Sequence, residues 1–139
     1  MPLIFQPTPG AILVCDYSGS VQPEMTKLRP VVVLSPKFKN RHDLCAVVPL
    51  STSAPNPIEA YHYELTLNPP LPAPFDSPQM WVKGDMMATV SHQRLDLVRT
   101  GRVMGKRTYV NRLVPQQDLQ AIYAAVLHGL GLGRLTPHL

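Results

Sequence analysis

The stretch KLRPVVVLSP, residues 27–36, sets two cations and a proline directly against a run of large apolar residues. Glu24, Lys27 and Arg29 precede that run, and Ser51 and Thr52 follow a second one, CAVVPL at 45–50. Lys83 and Asp85 stand two residues apart, a spacing that predicts one shared face of a strand. A fixed cation, a pair of hydroxyls and an acid/base pair suit chemistry at a phosphodiester. The common catalytic signatures are missing: there is no glycine-rich phosphate loop, no G-x-S-x-G, no HExxH, and no cysteine pairing at zinc spacing. His42, His62, His92, His128 and His138 are too scattered to predict a metal cluster, so neither a metal nor another cofactor is expected.

These polar residues need strands to hold them. AILVCDY (11–17), PVVVLS (30–35) and CAVVPL (45–50) are short, β-branched runs bounded by turn formers and read as buried strands. YHYELTL (61–67) alternates, with Tyr61, Tyr63, Leu65 and Leu67 on one face and His62, Glu64 and Thr66 on the other, as a half-buried strand does. NPPLPAPFDSP (68–78) holds five prolines, cannot feed a sheet ladder, and reads as a stiff surface loop. After Pro115, Leu119, Ile122, Tyr123, Val126, Leu127 and Leu130 recur at helical spacing, and Gly129 offers a stop. Five or more short strands and one C-terminal helix predict a mainly β domain, a small, strongly curved barrel or sandwich with the helix packed on it.

A chain of 139 residues, with 45% hydrophobic and 16% charged residues, is expected to form one domain spanning 1–139 with a substantial core. No window reaches the length of apolar sequence that a membrane span needs, and MPLIFQPTPG lacks the pattern of a signal peptide, so a soluble, cytoplasmic protein is expected. Cys15 and Cys45, in apolar surroundings, are expected as buried thiols. Thirteen Lys and Arg exceed nine Asp and Glu to give a net charge of +4, and most of the excess lies between Lys83 and Arg112. There Lys83, Arg94, Arg99, Arg102, Lys106, Arg107 and Arg112 face only Asp85 and Asp96 in sequence. A solvated edge and a groove that tracks phosphates both fit this composition.

Taken in order, PGAILVCDYSG, E-x-x-K-x-RPVVVLS, VVPLST and VKGDMMATVSHQRL resemble the PemK/MazF toxins of bacterial toxin–antitoxin systems, from about residue 9 to 130. The resemblance implies an SH3-like β-barrel with a C-terminal helix, a homodimer, cleavage of single-stranded RNA without metal, and neutralisation by a small antitoxin. It gives Arg29 the scissile phosphate, a role that suits a guanidinium because it stays charged and presents a fork of donors. Ser51 and Thr52 match the family's hydroxyl pair. Lys83 and Asp85 fall on its Arg-x-Asp, where the acid and base for attack by the RNA 2′-hydroxyl are assigned; Lys83 as a simple point charge stays open beside that.

Further RNA contacts fall to Glu24, Lys27, Trp81 and Arg94, with Tyr61, Phe75 and Trp81 as stacking surfaces or core residues. Pro23 stands where some members have histidine, and Ala88 where a basic residue is common, so different base recognition is expected. Two other readings share the fold: a surface that blocks a DNA-handling enzyme, as in the gyrase-poison relatives, and a degenerate toxin that only binds RNA or antitoxin.

Overall fold

The three most apolar runs of the chain form the middle of one antiparallel sheet: β1 (Ala11–Asp16), β2 (Leu28–Val33) and β3 (Leu44–Ser51). Their hydrophobic runs are continuous because alternate residues enter two different cores. Ile12, Val14, Val32, Val48 and Leu50 face one, and Leu13, Cys15, Val31, Val33, Cys45 and Val47 face the other. The computed structural model describes residues 3–139.

Around this centre the sheet adds β4 (His62–Thr66), β5 (Gln79–Lys83), β6 (Ala88–Ser91), β7 (Leu95–Val103), β8 (Lys106–Val110) and the short β9 (Arg112–Leu113). The strand order is β4-β5-β3-β2-β1-β7-β8, with β6 beside β3 and β9 beside β1. β3 is paired by β5 at Leu50–Ser51 and by β6 at Leu44–Val47, so the sheet splits and bends along this one strand. The result is the mainly β, barrel-like fold expected, although the sheet is bent rather than closed.

Helix α1 (Gln116–Gly129) follows Pro115 and ends at Gly129, as its sequence pattern predicts. Leu119, Ile122 and Val126 bury in the first core against Leu65, Met80 and Val82. The alternation in 61–67 is also found, with Leu65 and Leu67 buried. The proline-rich segment 68–78 does more than skirt the surface: Leu71 is buried and Phe75 packs on the first core. A loop without ladder hydrogen bonds still gains by burying its few apolar side chains.

The helix touches the sheet most closely at glycine. Gly84 follows β5 and opens a single 3-10 turn, Gly84–Met86. Its N–H donates to the Tyr61 carbonyl at 2.8 Å. A Cβ at Gly84 would lie 2.7 Å from the Ala125 backbone and from the Tyr61 oxygen, while one at Gly129 would lie 2.9 Å from the Asp85 backbone. Main chain meets main chain at both positions, so no side-chain rotation relieves an added carbon. Gly84→Ala is therefore expected to destabilise the fold by about 1–3 kcal/mol, read as a lower urea midpoint at unchanged m-value.

Candidate active site

Arg29 occupies the second position of β2, opposite Cys15 of β1. It shares its side of the strand with Val31 and Val33, so it stands at the open end of the second core. The β2–β3 ladder runs from Val33↔Val47 to Val31↔Pro49 and stops where Pro30 has no N–H to give. Carried two residues further, this register sets Arg29 opposite Ser51. Ser51 in turn pairs with Trp81, and Trp81 with Glu64. Cross-strand partners share a face at about 5 Å between Cβ atoms, so Cys15 with Arg29, and Ser51 with Trp81 and Glu64, make up one row that is interrupted where the β2–β3 ladder stops. Lys83, two residues beyond Trp81, belongs to the same face and lies opposite His62.

Arg29 is half-buried, and its Nε donates to the Thr26 carbonyl at 3.2 Å. That bond orients the guanidinium and leaves both terminal nitrogens without a partner among the described residues. Among the described residues, Arg29 and Glu24 form no ion pair. Glu24 closes its own turn, Oε1 accepting from the Val21 N–H at 2.7 Å. Ser51 is buried, and its Oγ accepts from the Ser53 N–H at 3.2 Å, which caps the strand and holds the hydroxyl.

Asp85 corrects one expectation. β5 ends at Lys83 and the chain turns at Gly84, so Asp85 sits exposed in the 3-10 turn and does not share a strand face with Lys83. The cause is the close packing of Gly84 on α1, which pulls the backbone out of the sheet. The turn carries Asp85 to a groove of about 370 Å³ lined by Tyr17, Glu24, Met25, Asp85, Ala88 and Arg94. Three expected site residues thus converge there. Arg94 is fixed by its Nη1, which donates to the carbonyls of Asp16 and Ser18, both at 2.9 Å. Thr52 and Lys27 are exposed and stand outside both groups, although the Lys27 carbonyl accepts the Tyr17 N–H at 2.9 Å.

Tyr17 joins the groove to the row and has no sequence signal to mark it. It is buried, lines the groove and packs in the second core. Burial pushes its phenol well above the usual tyrosine range, and the Arg29 charge pulls the other way, which places the two side chains within electrostatic reach. Among the described residues, no group of three or more His, Cys, Asp or Glu side chains converges, and no helix is long and apolar enough to cross a membrane. The structure therefore offers an oriented cation, a held hydroxyl and an amine on one strand face, and an exposed carboxylate on a groove that Tyr17 also lines.

Comparison with known proteins shows the family and the fold. Residues 8–129 match the model for the PemK-like, MazF-like toxins of type II toxin-antitoxin systems, and the chain belongs to that family. An uncharacterized Escherichia coli (strain K12) protein, YifN, is 32% identical over 149 aligned positions, covering 94% of this chain and 95% of YifN. Among solved structures, MazF from Deinococcus radiodurans superposes with a TM-score of 0.62 at 18% identity, over 91% of this chain and 98% of the other. An endoribonuclease from a mycobacterial species gives 0.56 at 20% identity, over 91% and 92% of the two chains. These two likenesses show the shared fold.

Cys15 stands next to Arg29 in the row, yet it is no nucleophile. Both cysteines are free and buried, and burial raises each thiol to about 11. At about pH 8 such a group is thiolate in about one molecule in 1,000. Iodoacetamide at that pH should label neither cysteine in the native protein and both in urea, by intact mass; rapid native labelling of Cys15 would show it open to the site.

Proposed function

We propose that this protein is the toxin of a toxin–antitoxin pair and acts in the cytoplasm as an endoribonuclease on single-stranded RNA, without a metal ion. The observation that carries the reading is Arg29, fixed at its Nε by the Thr26 carbonyl with both terminal nitrogens unpartnered among the described residues, on the same sheet face as the buried Ser51. A guanidinium so held presents two parallel donors to two oxygens of a phosphate.

In the reaction the ribose 2′-oxygen attacks the adjacent phosphorus, the bond to the 5′-oxygen breaks, and the products are a 2′,3′-cyclic phosphate and a free 5′-hydroxyl. The substrate brings its own nucleophile, so the protein must splay the strand, move two protons and stabilise charge on the phosphate oxygens. Arg29 meets that charge and the Ser51 hydroxyl donates to it. Asp85, exposed on the rim of the groove, takes the 2′-proton. Lys83, on the row beside Trp81, acts as the acid or as a further point charge. Trp81 is half-buried, and its exposed part offers a surface for a base. Glu24 and Arg94 shape the groove wall around the Asp85 turn.

Two partners complete the reading. Leu28 and Leu113 are apolar side chains left more than half exposed, which favours a homodimer that covers them. An antitoxin with an acidic segment would compete with RNA for the basic surface.

Single-turnover cleavage of an RNA oligonucleotide in EDTA tests the chemistry. Arg29→Ala should cost about 10² to 10³ in rate, the usual loss of one oriented charge stabiliser, and Arg29→Lys should restore only part. Asp85→Asn should cost about 10² to 10⁴ if Asp85 is the base. Cleavage of a substrate lacking the 2′-hydroxyl, or full activity in folded Arg29→Ala, would overturn the mechanism. Light scattering at micromolar concentration should give twice the 15.4 kDa chain mass, and a monomer there would remove the dimer.

A further inference from the structure

β1 accompanies β7 only along Leu95–Leu97. Beyond that point β7 is paired by β8 alone, and the two strands run out as a ribbon closed by a tight turn with Met104 and Gly105 at φ 53° and 81°. Residues 99–107 are exposed throughout, with Met104 at the tip 98% exposed.

The ribbon gathers charge on one side. Arg102 lies directly opposite Arg107, and Arg99 opposite Tyr109. Arg107 and Tyr109 are two apart on β8 and share a face, so their partners do too. Arg99 and Arg102, three apart, come to the same face because a bulge between Arg99 and Gly101 inserts one residue. The opposite face carries Thr108, bonded to Thr100, and Val110, which packs on the first core. Three arginines and a tyrosine therefore look outward together. No Asp or Glu occurs between Val98 and Val110. Asp96, at the base of the ribbon, bridges Arg99 at 3.5 Å, while Arg102 and Arg107 have no ion-pair partner among the described residues.

Like charges set directly opposite each other oppose strand pairing, and a two-stranded ribbon has little stability to spare. An anion across the face removes that repulsion. We propose that this face holds the backbone of the RNA flanking the cleavage site, an inference that rests on the nuclease reading. Arg94 supplies the continuity, since it lines both the Asp85 groove and a neighbouring cavity of about 350 Å³ lined also by Asp16, Asp96 and Arg99. From Arg99 the path continues to Arg102 and Arg107, with alternate positions along a strand about 7 Å apart. The chemistry favours a nucleic acid over an acidic peptide. Guanidinium forks match phosphates, and Tyr109 gives a base a π face.

The test measures binding of uncleavable 2′-fluoro RNA of mixed sequence, about 5 or about 20 nucleotides long, by fluorescence anisotropy across a salt series. The double variant Arg102→Ala/Arg107→Ala should weaken the longer RNA about 10-fold and reduce the log–log salt slope by about 1.4, the value for two lost contacts to a single strand. The shorter RNA should bind unchanged. Arg107→Glu, which can pair with Arg102 across the ribbon, should keep the thermal midpoint at or above that of the wild type and weaken the longer RNA more than Arg107→Ala does. Unchanged affinity and slope in Arg107→Glu would overturn the proposal, as would variants that lose binding of a polyglutamate peptide, measured in parallel by the same anisotropy assay, but retain RNA. The two readings separate cleanly. Ribbon-dependent binding with no cleavage by the wild type keeps the ribbon and removes the nuclease. Cleavage of long RNA with kcat/KM unchanged in the ribbon variants removes the ribbon and keeps the nuclease. A wild type that binds no RNA removes both.

Discussion

Everything at the site depends on the register of β2 against β1. Cys15 opposite Arg29 and Leu13 opposite Val31 put the arginine in the same column as two core valines. A shift of one residue would turn Arg29 to the opposite side of β2, the side that carries Val32. The register is strongly specified because both faces of β2 are buried. Val32 and the Val31–Val33 pair would each exchange cores on a slip, and neither core has space arranged for the other's side chains. Packing of neutral valines thus decides where a charge stands.

The second constraint comes from α1. The helix buries Leu119, Ile122 and Val126, and in doing so presses its backbone at Ala125 and Gly129 against Gly84 and Asp85. The sheet yields: β5 stops, the chain turns, and a carboxylate that would have continued a strand face moves to a groove rim. The two contacts give the site its mixed character. Arg29 and Ser51 stand on hydrogen-bonded strands, whereas Asp85 stands exposed on a turn held from behind by the helix.

Charge is distributed by the same logic. Buried strands exclude it, so cations collect where the sheet runs out: Arg29 at the end of β2, Lys83 at the end of β5, and the arginines of β7 and β8 where no further layer covers the ribbon. Arg94 lies between these groups and is tied to the backbone of Asp16 and Ser18. Asp16 and Asp96, and Glu24 and Asp85, line the two cavities that Arg94 joins, so the cations there are interspersed with acids.

What residues near in sequence decide was legible from the sequence. Continuous β-branched runs bounded by turn formers marked β1, β2 and β3. Apolar spacing of 3.6 after Pro115 marked α1, and the alternation in 61–67 marked β4. Arg29 and Ser51 could be read as a pair because each is attached directly to such a run. Contacts between distant residues were not legible. Nothing near Tyr17 announces that strand pairing will bring it beside Arg29. Spacing alone put Lys83 and Asp85 on one face, and a backbone contact with a helix about forty residues later undid it. In the ribbon, period-2 counting would send Arg99 and Arg102 to opposite faces. The bulge that unites them is a property of how two strands pair, which composition and spacing do not carry.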